Sequence, residues 1–168
     1  MLGAICLLAA TVPAQGDGPA DAGQVKAAFI LNFLKFVEWP TAGPRAAITV
    51  AVIGDEAFGA VLAKAAAGQA HNGHPIEVRN ATRAAETPDA KLLFIAASQV
   101  RNLPSILRET EGRPVLTVGD TEGYGQAGVI LNLYTFDQRV RIEANTTAAA
   151  RAGLRLSSQL LRLARIVG

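Results

Sequence analysis

Three stretches of this sequence are apolar through their whole middle: ITVAVIG (residues 48–54), KLLFIAAS (91–98) and RPVLTVGD (113–120). A strand with one wet face alternates polar and apolar residues. Short β-branched runs that do not alternate belong to strands buried on both faces. Such strands need cover above and below, and the segments between them supply it. Asp55 is placed to cap a helix over residues 56–67 that turns Phe58, Val61 and Leu62 inward. Pro104 opens a second helix that Gly112 closes. PIEVRNA (75–81) alternates as a shorter strand, after a loop AGQAHNGHP (67–75). The order predicts an α/β fold with a mainly parallel sheet flanked by helices on both faces. At 168 residues the chain is one domain.

Two further expectations concern the last third. Residues 129–134 and 140–144 read as strands joined by a tight Phe136-Asp137-Gln138-Arg139 turn, an antiparallel hairpin. Residues 146–167 read as one long C-terminal helix. On that wheel Arg151, Arg155, Ser158, Arg162 and Arg165 share a narrow stripe, opposite Ala149, Leu156, Leu160, Leu163 and Val167. The stripe is read either as a solvated face or as contact for an acidic partner or an anionic lipid surface.

Near the other end, KAAFILNFLKFVEWP (26–40) is too apolar for a surface helix and too short to span a bilayer. As a helix it gathers Phe29, Ile30, Phe33, Leu34, Phe36 and Val37 on one half, a core face. Asn32, Lys35 and Glu38 form a polar stripe, flanked by Leu31 and Trp39, and Pro40 stops the helix. Leu31, Asn32, Lys35 and Trp39 therefore form a candidate edge for partner docking or self-association, since aromatics beside a polar rim favour interfaces.

Residues 1–14 read as an export signal: an apolar run from Leu2 to Ala10, then Val12-Pro13-Ala14 with small residues at −3 and −1. No basic residue precedes the run. A flexible segment (15–24) and a single domain (25–168) follow, so the mature chain is expected to be soluble and periplasmic. Cys6 is the sole cysteine and lies inside the signal. Mature-chain disulfides, thiol catalysis and cysteine metal sites are thereby excluded.

The loops after parallel strands are where such a fold places ligands, and here they carry Gly54, Asp55, Ala97, Ser98, Gly119 and Asp120. No enzyme template fits them. IGDEAFGAV lacks both G-x-G-x-x-G and G-K-[ST]. Asp55 and Glu56 put negative charge where a phosphate needs positive potential. Ser98 has no G-x-S-x-G elbow. No catalytic, cofactor or metal site is assigned. Gly54, Ser98 and Asp120 remain a candidate small-molecule crevice, the alternative being polar turns. His71 and His74, three apart on a loop, need further acidic ligands to hold a metal and otherwise form a solvated loop. The 16 basic and 14 acidic residues leave +2. No basic cluster with stacking aromatics appears, which excludes a nucleic-acid partner.

Three blocks in order resemble the YfiR/HmsC-like family of secreted bacterial proteins: VKAAFILNFLKFVEWP, then VLTVGD with GVILNLY, then RVRIEANTTAAARAGLRLSSQLLRLARIV. The resemblance implies an α/β periplasmic regulator without enzymatic activity. Such proteins restrain a membrane-bound diguanylate cyclase through its periplasmic part and are released by an outer-membrane lipoprotein or an envelope signal. Cyclic di-GMP and biofilm output follow, and members dimerise. Relatives also sit beside histidine kinases, so a small-ligand sensing module coupled to a kinase is the alternative. Relatives often carry a cysteine where this chain has Ala90, so disulfide-based redox control does not transfer. Arg151, Arg155 and Arg162 join the Leu31–Trp39 edge as candidate partner contacts.

Overall fold

The computed structural model describes residues 19–40 and 47–168; the export signal expected at residues 1–14 lies outside them. In chain order the elements are helix α1 (Pro19–Phe33), strand β1 (Val37–Glu38), β2 (Ile48–Ile53), α2 (Glu56–Ala66), β3 (Ala70–His71), β4 (His74–Ala81), β5 (Leu92–Ile95), α3 (Leu103–Thr110) and β6 (Leu116–Gly119). There follow α4 (Tyr124–Ala127), β7 (Leu131–Phe136), β8 (Arg139–Asn145), α5 (Thr146–Arg151), β9 (Arg155–Leu156), α6 (Ser158–Leu163) and β10 (Ala164–Val167). The main sheet has the order β10-β8-β7-β6-β5-β2-β4-β3, and β1 pairs with β9 in a separate ribbon.

The three uninterrupted runs occupy the centre of that sheet as β2, β5 and β6, paired in parallel. Their alternate residues enter two different cores, as burial on both faces requires. Ile48, Val50 and Val52 pack with Ile30, Phe33, Phe58 and Leu62 from α1 and α2. Ala51 and Ile53 pack with Leu103, Ile106 and Tyr124 from α3 and α4. The β7–β8 hairpin is antiparallel in the expected register, with Phe136 opposite Arg139. Its turn residues Asp137 and Gln138 both have positive φ, 49° and 57°, which is the primed turn whose twist suits a two-residue hairpin.

Two helices differ from the sequence reading. The first begins at Pro19, inside the segment read as flexible, and its α-helical part ends at Phe33, passing through a single turn at Leu34–Phe36 into β1 rather than running on to Trp39. The long C-terminal helix is not formed. α5 stops after Arg151 in a Schellman motif: Leu154 N–H bonds Ala149 C=O at 2.9 Å, and Gly153 N–H bonds Ala150 C=O at 3.0 Å. Gly153 sits at φ 71°, a region that costs side-chain-bearing residues about 1–2 kcal/mol. Ser157 then caps α6 by accepting from Leu160 N–H at 3.2 Å. At Ala164 the backbone becomes extended and β10 adds in parallel to β8.

Candidate functional site

The candidate crevice begins where β2 and β5 end, the point at which the chain's crossovers diverge to opposite sides of the sheet. Gly54 and Ser98 do meet there: Ser98 Oγ donates to Gly54 C=O at 2.8 Å, and Gln99 Nε2 reaches Ser98 Oγ at 3.3 Å. A Cβ on Gly54 would lie 2.5 Å from Ser98 Oγ. The Ser98 and Gln99 side chains thus pack directly against Gly54. Asp55 acts as a helix cap, accepting from Phe58 N–H at 2.8 Å.

Asp120, just past the end of β6, is ion-paired to α1. Its Oδ2 accepts from Lys26 Nζ of α1 at 2.7 Å, and Thr121 Oγ1 donates to its Oδ1 at 3.3 Å. The Lys26 ammonium lies over the rings of Phe58 and Phe94, 4.9 and 5.9 Å from their centroids. Beside this ion pair a cleft of about 660 Å³ opens between α1 and the β7–β8 hairpin, walled by Val25, Phe29, Leu133 and Val140. Nearby, Tyr124 donates its hydroxyl to Ala96 C=O at 3.0 Å. Burial, and to a lesser extent the Asp120 charge, push its phenol above the ordinary value. Lys26 was not singled out from sequence because only the fold brings it to the end of β6.

The edge expected around Trp39 changes composition. Leu31 is 5% exposed and belongs to the core, so it leaves the edge. Asn32 and Lys35 are exposed and bonded to each other at 3.0 Å. Trp39 is half-buried between two partners that the sequence kept apart. The Lys91 ammonium lies 5.6 Å from its ring centroid, and His71 meets it edge-on at 6.3 Å. Trp39 Nε1 is buried with no acceptor among the described residues. His71 and His74 are not on an open loop; they face each other as partners of the β3–β4 hairpin, across Asn72 and Gly73 at positive φ. Burial, then the charges of Lys35 and His74, hold His71 below the usual imidazole value. Among the described residues no group of three or more His, Cys, Asp or Glu is placed to hold a metal ion.

The arginine stripe is dispersed with the helix that was to carry it. Arg151 closes α5, Arg155 lies in β9 with Glu38 at 4.0 Å, and Arg162 is in α6. Arg165 lies in β10, ion-paired to Glu143. Ser158 opens α6, and Leu163, expected inside, is 75% exposed. A second cavity of about 470 Å³ lies between α3, α4 and α5, with Leu107, Val115 and Ile130 in its lining and Glu111 and Arg151 among its polar groups.

No helix among the described residues is long and apolar enough to cross a membrane. The fold is similar to the crystal structure of a conserved domain protein from Vibrio cholerae O1 biovar El Tor, at 13% identity and TM-score 0.61 over 87% of this chain and 60% of that one. It is also similar to the ABC domain solved in complex with L-Trp from Streptococcus pneumonia, at 11% identity and TM-score 0.57 over 84% of this chain and 60% of that one. The chain spans 60% of the length of each, and likeness at this identity shows the fold alone. The YfiR/HmsC-like family model matches residues 23–165, which takes in the first two blocks noted in the sequence and all but the last two residues of the third. The chain belongs to the YfiR/HmsC-like family.

Proposed function

We propose that this protein is a periplasmic, non-enzymatic regulator that binds the periplasmic part of a membrane-bound signalling protein and restrains it. The proposed partner is a diguanylate cyclase, with cyclic di-GMP and biofilm formation as the output and an outer-membrane lipoprotein as the releasing factor. The observation that carries this reading is the family match, which extends over residues 23–165. Restraint has a physical requirement: the regulator must bind one conformation of the enzyme more tightly than the other, because equal affinity shifts nothing. The proposed contacts are Asn32, Lys35 and Trp39 with Arg151, Arg155 and Arg162. The test is deletion of the chain with cyclic di-GMP measured in the cell. Raised cyclic di-GMP supports restraint of a cyclase. An unchanged level, with altered phosphorylation of a neighbouring kinase, rejects the cyclase as partner, and no change in either output rejects the regulatory reading.

A second reading is favoured by the cleft between α1 and the hairpin. It has the volume of a small-molecule site, mainly apolar walls and a convergent ion pair at Lys26 and Asp120. On this reading the protein senses a periplasmic metabolite and reports to a histidine kinase. A metabolite that raises the melting temperature of the native chain, and fails to do so with Asp120→Ala, supports it. A panel with no such metabolite counts against it.

A further inference from the structure

The overall charge of +2 conceals a strong asymmetry. From residue 139 onward the chain has six arginines and a single acid, Glu143, whereas the residues before it carry ten bases and thirteen acids. The fold brings part of that basic segment to one end of the main sheet, where β8, carrying Arg139 and Arg141, lies beside β10, carrying Arg165, and β10 is the last strand. Glu143 is already committed to Arg165 and Asn132. Arg139, Arg141, Arg151 and Arg162 are exposed, and none has an ion-pair partner among the described residues.

On its outer side β10 pairs with no strand among the described residues. An open edge presents unpaired N–H and C=O groups and is a template for another strand. Two exposed aliphatic side chains accompany it, Leu163 at 75% and Ile166 at 50%. The opposite end of the sheet is different: β4 mixes exposed Glu77 and Arg79, which pair with each other, and β3 covers its start. The two faces of the β10 edge also differ. Arg165 is in register with Glu143 and shares its face, as do Arg141 and Arg139 by the two-residue period of β8. Ile166 is in register with Ala144 on the other face, above the core that α1 and α5 cover.

We propose that the outer edge of β10 is the docking edge for an extended, acidic segment of the partner, which adds to the sheet as one more strand. Main-chain hydrogen bonds supply the register. Alternate side chains supply the choice of sequence: acidic residues on the face of Arg141 and Arg139, apolar ones on the face of Ile166. Charge complementarity selects this occupant, since Arg139 and Arg141 are exposed with no ion-pair partner among the described residues and draw an acidic strand while repelling a basic one. The proposal rests on the regulatory reading above for the identity of the partner, but the edge itself is tested without it.

The test uses the purified chain and a short, end-blocked fluorescent peptide alternating Glu and Val, beside a copy with Lys in place of Glu. Fluorescence anisotropy should show the acidic peptide bound at least about tenfold tighter than the basic one, with the difference shrinking in high salt. Ile166→Asp and Arg141→Glu should each weaken binding by about tenfold at an unchanged melting temperature. If Ile166→Asp lowers the melting temperature, Leu163→Asp at the more exposed neighbour takes its place. Equal affinity for both peptides, or indifference to these substitutions, overturns the proposal. So does sedimentation showing a dimer that Ile166→Asp dissolves and the peptide does not contest, because the edge then belongs to a second copy. Binding to phosphatidylglycerol vesicles that Leu163→Asp abolishes, without peptide binding, overturns it in favour of a lipid surface. Should deletion of the chain leave both signalling outputs unchanged, the regulatory reading falls while the peptide result stands on its own.

Discussion

Arg165 and Glu143 sit in register on neighbouring parallel strands, and the exposed guanidinium is ion-paired to a carboxylate that is 2% exposed. Asn132 Nδ2 donates to the same carboxylate at 3.0 Å. The pair pins the outermost strand to the sheet, and the cost of burying Glu143 is offset only while a cation remains opposite it.

Arg165→Met should therefore lower the melting temperature, and the double variant with Glu143→Gln should recover part of the loss, since it removes the buried charge as well as its partner. A double-mutant cycle by thermal unfolding measures this. Additive losses would show that the two side chains contribute independently.

Gly153 closes α5 at φ 71°, and a Cβ there would meet only Pro40 Cγ, at 3.7 Å. Space is not the constraint, so Gly153→Ala should cost about 1–2 kcal/mol through the backbone alone. Urea unfolding should show the midpoint shifted and the slope unchanged.

Phe33 is 2% exposed in the core between α1 and the sheet. Phe33→Ala should destabilise the domain by about 3–5 kcal/mol. Trp39→Ala should cost less, because Trp39 is half-buried and part of its contact is with the Lys91 and His71 side chains. Denaturant unfolding of the two variants side by side checks the order, and a Trp39 variant that unfolds outright would remove Trp39 from the proposed docking edge.

His71 is held below the ordinary imidazole value, first by burial and then by Lys35 and His74. The unfolded chain therefore takes up this proton at a higher pH than the folded one. Stability from this group is fully present above the unfolded value of about 6.5 and is lost as pH falls through the lowered folded value. The urea midpoint should fall over that window, and less so in His71→Asn. An identical pH profile in that variant would assign the dependence elsewhere.

The sheet was legible in the sequence because burial on both faces leaves a mark that does not depend on the rest of the fold: β2, β5 and β6 stand where their apolar runs are. The hairpin was legible for a related reason, as a short polar turn between two strand-like runs. The C-terminal helix was misread because heptad-like leucines outweighed a single glycine. Gly153 followed by Leu154 and then Ser157 is a stop followed by a start, and the tertiary fold uses both signals. The site was less legible. Ser98 and Gly54 are neighbours as expected, but Lys26, which pairs with Asp120, and Lys91, which covers Trp39, reach those places only through packing between distant segments. Spacing along the chain holds no record of such pairs.

The β1–β9 ribbon sets Val37 against Leu156 and Glu38 against Arg155, and Ser157 N–H bonds Phe36 C=O at 2.8 Å. The first and last recognisable blocks of the sequence are thus stitched to each other. Closing a loop of this length carries a large entropic toll before any contact repays it. β1 cannot find its partner strand until nearly all the rest of the chain has been made. A chain cut short before Arg155 lacks this clasp between its two ends.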